Sequence, residues 1–204
     1  DEDDLNYLNK MFMLLKNSHN ITFMALSSLI KDRKITKFDL TLEITNRCNL
    51  RCRVCRIWQE QPKFDLSFSD IQGVISKLCG HFSLGSISLT GGEPFLNPEF
   101  EKIFHFLALA KAKKHVDSIG IYTNGYLAKT ILRFLDENAA YLEHCELGVS
   151  LDGLQHHHNY LRRRKDAYSS ASFLLRTAKR KFPQLDVCAK FTISPLNYKE
   201  LPAV

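Results

Sequence analysis

At 204 residues, 45% of them hydrophobic, the chain is long enough for one domain with a core of its own, burying roughly 70% of its unfolded surface without help from staples. Six cysteines are too few for a disulfide scaffold, no run approaches the roughly 20 apolar residues of a membrane helix, and the opening Asp1-Glu2-Asp3-Asp4 is unlike a basic signal peptide. The net charge of +6 lies partly in basic runs at 111–114, 162–165 and 179–181, which read as solvated helix faces before they read as a nucleic-acid surface. These features predict a protein of a reducing, cytoplasmic compartment, with no membrane span and no nucleic-acid partner. A start at Asp1 instead of Met reads as a trimmed chain or a piece of a longer one.

Apolar spacing predicts two helices in an N-terminal extension over residues 1–35: Leu5, Leu8, Met11, Phe12 and Leu15 recur at helical intervals, and a second apolar run covers 21–30. Alternation then takes over, with Phe38, Leu40, Leu42 and Ile44 interleaved with Asp39, Thr41, Glu43 and Thr45, as in a strand. Helices are expected at 71–78, capped by Ser67 or Ser69, and at 98–113, 128–137 and 168–181. Strands are expected between them at 86–90, 118–123, 146–152 and 186–194. Strand, loop and helix in repetition make parallel βαβ units, whose ligands gather at the carboxyl ends of the strands. All the unusual sequence follows a strand: three cysteines after the first, Gly-Gly-Glu-Pro after the second, Asn-Gly after the third, and a histidine- and arginine-rich stretch after the fourth.

The cysteine loop, NRCNLRCRVCRIW, spaces Cys48, Cys52 and Cys55 as C-x3-C-x2-C. Structural zinc takes four protein ligands, which would require a histidine from 156–158 to join, and a disulfide would leave one thiol over. Three thiolates also suit an iron–sulfur cluster with one iron left open, and Arg47, Arg51, Arg53 and Arg56 would favour the thiolate form by their charge. Cys79, Cys145 and Cys188 are scattered through apolar segments and read as core thiols. In TGGEP, at 90–94, Gly91 and Gly92 lack a Cβ, so that backbone can approach a ligand closely.

C-x3-C-x2-C after a first strand, followed by Gly-Gly-Glu after a second, resembles the radical S-adenosylmethionine (SAM) superfamily. The resemblance covers residues from about 38 to 198 and implies an α/β fold, the partial (β/α)6 barrel of that family. It predicts five parallel strands in a core over 36–204, with the rest of the barrel expected beyond its C-terminal end. It implies a [4Fe-4S] cluster on Cys48, Cys52 and Cys55, with SAM on the open iron. Gly91, Gly92 and Glu93 would hold the SAM amino group, so that Gly92→Val would spare the cluster and weaken SAM binding. Asn124, Ser150 and Asp152 would lie near the ribose or carboxylate, and Arg162, in preference to Arg163 or Arg164, would pair with the carboxylate. Thr192 or Ile193 would border the adenine. The implied chemistry is reductive cleavage of SAM to methionine and a 5′-deoxyadenosyl radical that abstracts hydrogen from a peptide or small molecule, with flavodoxin or ferredoxin as electron donor. No side chain is required as a general acid or base. The competing reading is a basic zinc- or cluster-bearing module that binds RNA or a protein without catalysis. His158 falls where relatives carry a His-Asp pair, but Asn159 follows it, and a capping or surface role is expected for the histidines.

Overall fold

A computed structural model describes residues 37–203, so the expected helical extension over 1–35 lies outside the described residues. Five parallel strands, β1 (Lys37–Glu43), β2 (Ser83–Thr90), β3 (Val116–Thr123), β4 (Cys145–Ser150) and β5 (Asp186–Lys190), form one sheet in sequence order. The connections carry α1 (Phe68–His81), α2 (Phe100–Ala112), α3 (Ala128–Glu137), then α4 (Gln155–Arg162) and α5 (Ala167–Lys181) between β4 and β5. Right-handed crossovers between strands that neighbour one another in sequence order put every helix on the same face of the sheet.

That face carries the core. Ile119 and Ile121 of β3 and Leu147 and Val149 of β4 are fully buried and share one apolar cluster with Phe104 and Leu107 of α2, Ile131 of α3 and Leu174 of α5. Residues between them point the other way, and that second face is polar: Lys190 pairs with Glu146 at 2.6 Å, and its ammonium lies 4.9 Å from the Tyr122 ring centre.

Ser67 is the cap of α1, in a reciprocal pair in which its hydroxyl accepts from Asp70 N–H and the Asp70 carboxylate accepts from Ser67 N–H. Element ends shift by a few residues throughout, and three departures from expectation have a clear cause. The strand expected at 86 begins at Ser83, because pairing with Lys37 and Phe38 extends it through a polar, glycine-containing segment. The last strand stops at Lys190 and not at 194: Thr192 N–H turns to Asp152 Oδ1, and Ser194 closes a turn on Asn197 Oδ1 at 2.7 Å. The histidine- and arginine-rich stretch is not a loop but the helix α4, which buries only His158 and Leu161 and so offers little apolar periodicity.

Candidate functional site

The cysteine loop spans residues 44–66 between β1 and α1, and polar side chains fold it. Asn46, 2% exposed, donates to Pro62 O at 3.1 Å and accepts from Phe64 N–H at 2.9 Å, closing the base of the loop. The Lys63 ammonium donates to three carbonyls, those of Asn46, Ile57 and Trp58, at 3.1–3.3 Å. The Trp58 indole donates to Cys55 O at 3.0 Å and fixes the turn that carries the second and third cysteines. Thr45 and Arg47 both reach Asp65, at 2.7 and 2.8 Å.

The glycine pair closes on this loop. Gly92 N–H donates to Thr45 O and Glu93 N–H to Arg47 O, both at 2.8 Å. A Cβ on Gly91 would stand 2.2 Å from Thr45 O, at a φ of 137° that L side chains rarely adopt, and one on Gly92 would stand 2.1 Å from Arg47 O. The glycines thus permit a close approach to the root of the cysteine loop, a contact that the sequence did not announce. Glu93 is fully buried: Thr123 Oγ1 donates to it at 2.6 Å and Asn124 N–H at 2.9 Å. Burial pushes its carboxyl up to about 7, against those hydrogen bonds, which favour the charged form. Asn124 bridges back to the loop, donating to Asn49 Oδ1 at 2.8 Å while its own oxygen accepts from Tyr126 N–H.

On the other side of the loop stand β4 and α4. Asp152 is 1% exposed and its Oδ2 lies 2.5 Å from Arg162 Nη2, while Arg162 Nη1 reaches Cys52 Sγ at 3.8 Å. Asp152 Oδ1 accepts from Thr192 N–H at 3.1 Å. His158 is buried, not on the surface: its Nδ1 accepts from Asp152 N–H at 3.1 Å. Burial, with the Arg162 charge beside it, lowers the imidazole to about 4 and keeps it neutral. Of the three consecutive arginines only Arg162 turns inward; Arg163 ends α4 with a φ of 54°, and Arg164 lies on Tyr126. Ser150 sits at the carboxyl end of β4, and Thr192 and Ile193 are exposed beyond β5.

The thiols are graded in exposure: Cys55 exposed, Cys48 half-buried, Cys52 buried. Burial pushes Cys48 up to about 11 and raises Cys52, the latter opposed by Arg162. Three of the four loop arginines are engaged elsewhere: Arg47 with Asp65, Arg51 near the Trp58 ring, Arg53 with Tyr160. The cation beside a thiol comes from α4, 110 residues away, a pairing that no local sequence pattern carries. Lys63, Trp58 and Asn46 were likewise missed, since their polar contacts within a loop have no period.

The residues fit the cofactors implied by the sequence: one loop supplies three thiols, and buried polar atoms beside it lack partners. Among the described residues Asn49 Nδ2, His158 Nε2 and Arg162 Nε are buried without a hydrogen bond, while Asp152 Oδ2 is held by the Arg162 guanidinium. All belong to the cysteine loop and its β4–α4 wall, and unpaired buried polar groups mark a place where a partner binds.

The family model described as the radical SAM superfamily matches residues 42–202. GTP 3′,8-cyclase of Synechocystis sp. is 36% identical over 126 residues, 60% of this chain and 35% of that protein. The sporulation killing factor maturation protein SkfB of Bacillus subtilis is 28% identical over 168 residues, 80% of this chain and 38% of that protein. The chain thus spans little more than a third of the length of these relatives. In shape it resembles anSMEcpe with bound AdoMet (TM-score 0.60, 18% identity, 82% of this chain and 48% of the other). It also resembles Streptococcus suis SuiB bound to S-adenosylmethionine (TM-score 0.59, 14% identity, 94% and 42%). No helix among the described residues is long and apolar enough to cross a membrane.

Proposed function

The chain belongs to the radical SAM superfamily, whose cofactors are a [4Fe-4S] cluster and SAM, and on that premise we propose that residues 36–204 are the core of an enzyme that cleaves SAM reductively. The observation that carries the reading is the gathering of three loop thiols and every unpaired buried polar side-chain atom among the described residues around one site. When bound, the cofactors supply one-electron cleavage of the sulfonium to methionine and a 5′-deoxyadenosyl radical that takes hydrogen from a substrate.

The chain's own residues bind and orient. Cys48, Cys52 and Cys55 would hold the cluster, and Arg162 would favour the Cys52 thiolate. Arg162 Nε–H is buried and unpaired, a donor suited to the SAM carboxylate, and Asp152 fixes the guanidinium that bears it. Gly91 and Gly92 would set the loop, with Glu93 and Asn124 tying the ends of β2 and β3 behind it. Ser150 and Thr192 would border the nucleoside. Peptide or small-molecule substrates are supported by relatives: SkfB is a maturation protein, and SuiB is known bound to the precursor peptide SuiA. An external one-electron donor such as flavodoxin or ferredoxin and a reducing, cytoplasmic setting complete the proposal.

Anaerobic reconstitution with iron and sulfide, reduction with dithionite and addition of SAM will yield 5′-deoxyadenosine, and Cys52→Ala will abolish both product and cluster absorbance. A colourless protein holding one zinc and leaving SAM intact would overturn the reading.

A further inference from the structure

Helix α4 is a wall with two different faces. Its inner side presents His158, Leu161 and Arg162 to Asp152 and Cys52. Its outer side carries a groove of about 810 Å³, lined by Arg53, His156, Tyr160, Arg163, Arg164 and Lys165 among others, with no carboxylate. None of its four arginine and lysine side chains makes an ion pair among the described residues.

Two of the cations are held in place. Arg53 stacks on Tyr160, 4.2 Å from the ring centre, and donates to Tyr160 O at 3.2 Å; Arg164 stacks on Tyr126 at 4.7 Å. The backbone N–H of Arg53 also donates to Leu161 O at 2.8 Å, so the groove is joined directly to the cysteine loop. Two anchored cations beside two more, none of them ion-paired among the described residues, fit an anionic partner and steer one to the groove over distance.

We propose that this groove is where an acidic electron-carrier protein docks. The inference rests on the proposed function. The groove is one helix away from Cys52, and a helix with its side chains is about 10–12 Å across. Arg53, which lines the groove, stands two residues before Cys55, the exposed thiol of the three. A substrate, in contrast, must reach the inner side of α4, where Arg162 and Asp152 lie. A partner that needs proximity to the cluster but no access to the SAM site is an electron donor. One electron leaves the reduced centre of the carrier, which is oxidised by one, and reduces the cluster by one; no bond or proton is exchanged.

The test uses reconstituted protein, purified bacterial flavodoxin as the acidic carrier, and two triple variants, R163E/R164E/K165E and the milder R163Q/R164Q/K165Q. Flavodoxin binding, followed by flavin fluorescence, will weaken at least tenfold in the charge-reversed protein and less in the neutral one, and will weaken with salt in the wild type. Formation of 5′-deoxyadenosine will slow in step when flavodoxin supplies the electron and stay unchanged with dithionite. Equal flavodoxin affinity in wild type and variants would overturn the proposal. So would loss of dithionite-driven cleavage in both variants, or a single-stranded RNA oligonucleotide that binds the groove more tightly than flavodoxin with the same dependence on these residues. If neither reductant gives product, the proposed function fails, while flavodoxin binding still decides the docking surface.

Discussion

The two flanks of the cysteine loop are built on opposite principles. On the β2–β3 side, Glu93 meets Thr123 and Asn124, Asn124 meets Asn49 and Tyr126, and the glycine backbone meets Thr45 and Arg47. On the β4–α4 side, His158 Nε2 and Arg162 Nε are buried without a hydrogen bond, beside the Asp152–Arg162 ion pair. An unmade bond of this kind costs about 1–3 kcal/mol per group, so a fold keeps such groups where something else repays them. The first flank is scaffold for the loop, and the second is the surface prepared for a ligand.

The contrast breaks most sharply at Arg162. Arg162→Leu leaves Asp152 buried without its counter-charge, a change that costs about 3–5 kcal/mol in buried pairs, and the partly open position of this arginine argues for the lower end. Urea unfolding of cluster-loaded protein measures the loss. The double variant Arg162→Leu/Asp152→Leu will recover most of that stability but none of the SAM affinity. Recovery of both would mean that the pair serves the fold alone.

On the scaffold flank, Gly92→Ala drives a Cβ to 2.1 Å from Arg47 O, contact with backbone that cannot rotate away. A loss of roughly 2–3 kcal/mol is expected for such strain, together with the cluster absorbance, because the loop that carries the thiols must shift. This reverses the sequence-based expectation that a side chain at this glycine would spare the cluster. A variant that keeps the full cluster and loses only SAM affinity would restore that expectation.

How much of this was legible in the sequence follows the range of the interactions. Periodic burial announced every strand of the sheet and four of its helices, because Ile119, Ile121, Leu147 and Val149 alternate and Ile103, Phe104 and Leu107 recur. The helix α4 escaped, since QHHHNYLR buries two side chains and has no polar cap at Leu154. The cysteines were legible by spacing, and Gly91 and Gly92 by type, but what the glycines approach was not: absence of a Cβ says that something is close without saying what. The partner of Cys52 was assigned to neighbours in the chain, and the fold supplies Arg162 instead.

The smallest predicted effect separates the flanks by pH. The Glu93 carboxyl sits at about 7 when folded against 4.5 for an ordinary one, because burial outweighs the bonds from Thr123 and Asn124. A folded value above the unfolded one means that the contribution of this group is complete below pH 4.5 and is lost as pH rises through 7. In Glu93→Gln the position has no proton to lose. The stability of the wild type relative to that variant will therefore fall between pH 5 and pH 8, by at most about 2.5 kcal/mol, whatever fixed offset the amide introduces. The lowered His158, whose depressed value works in the opposite direction, is common to both proteins and cancels in the difference. Urea unfolding of the two at a series of pH values gives the comparison. Parallel profiles would show that the Glu93 carboxyl titrates alike folded and unfolded, and that the scaffold flank holds a charge as comfortably as water does.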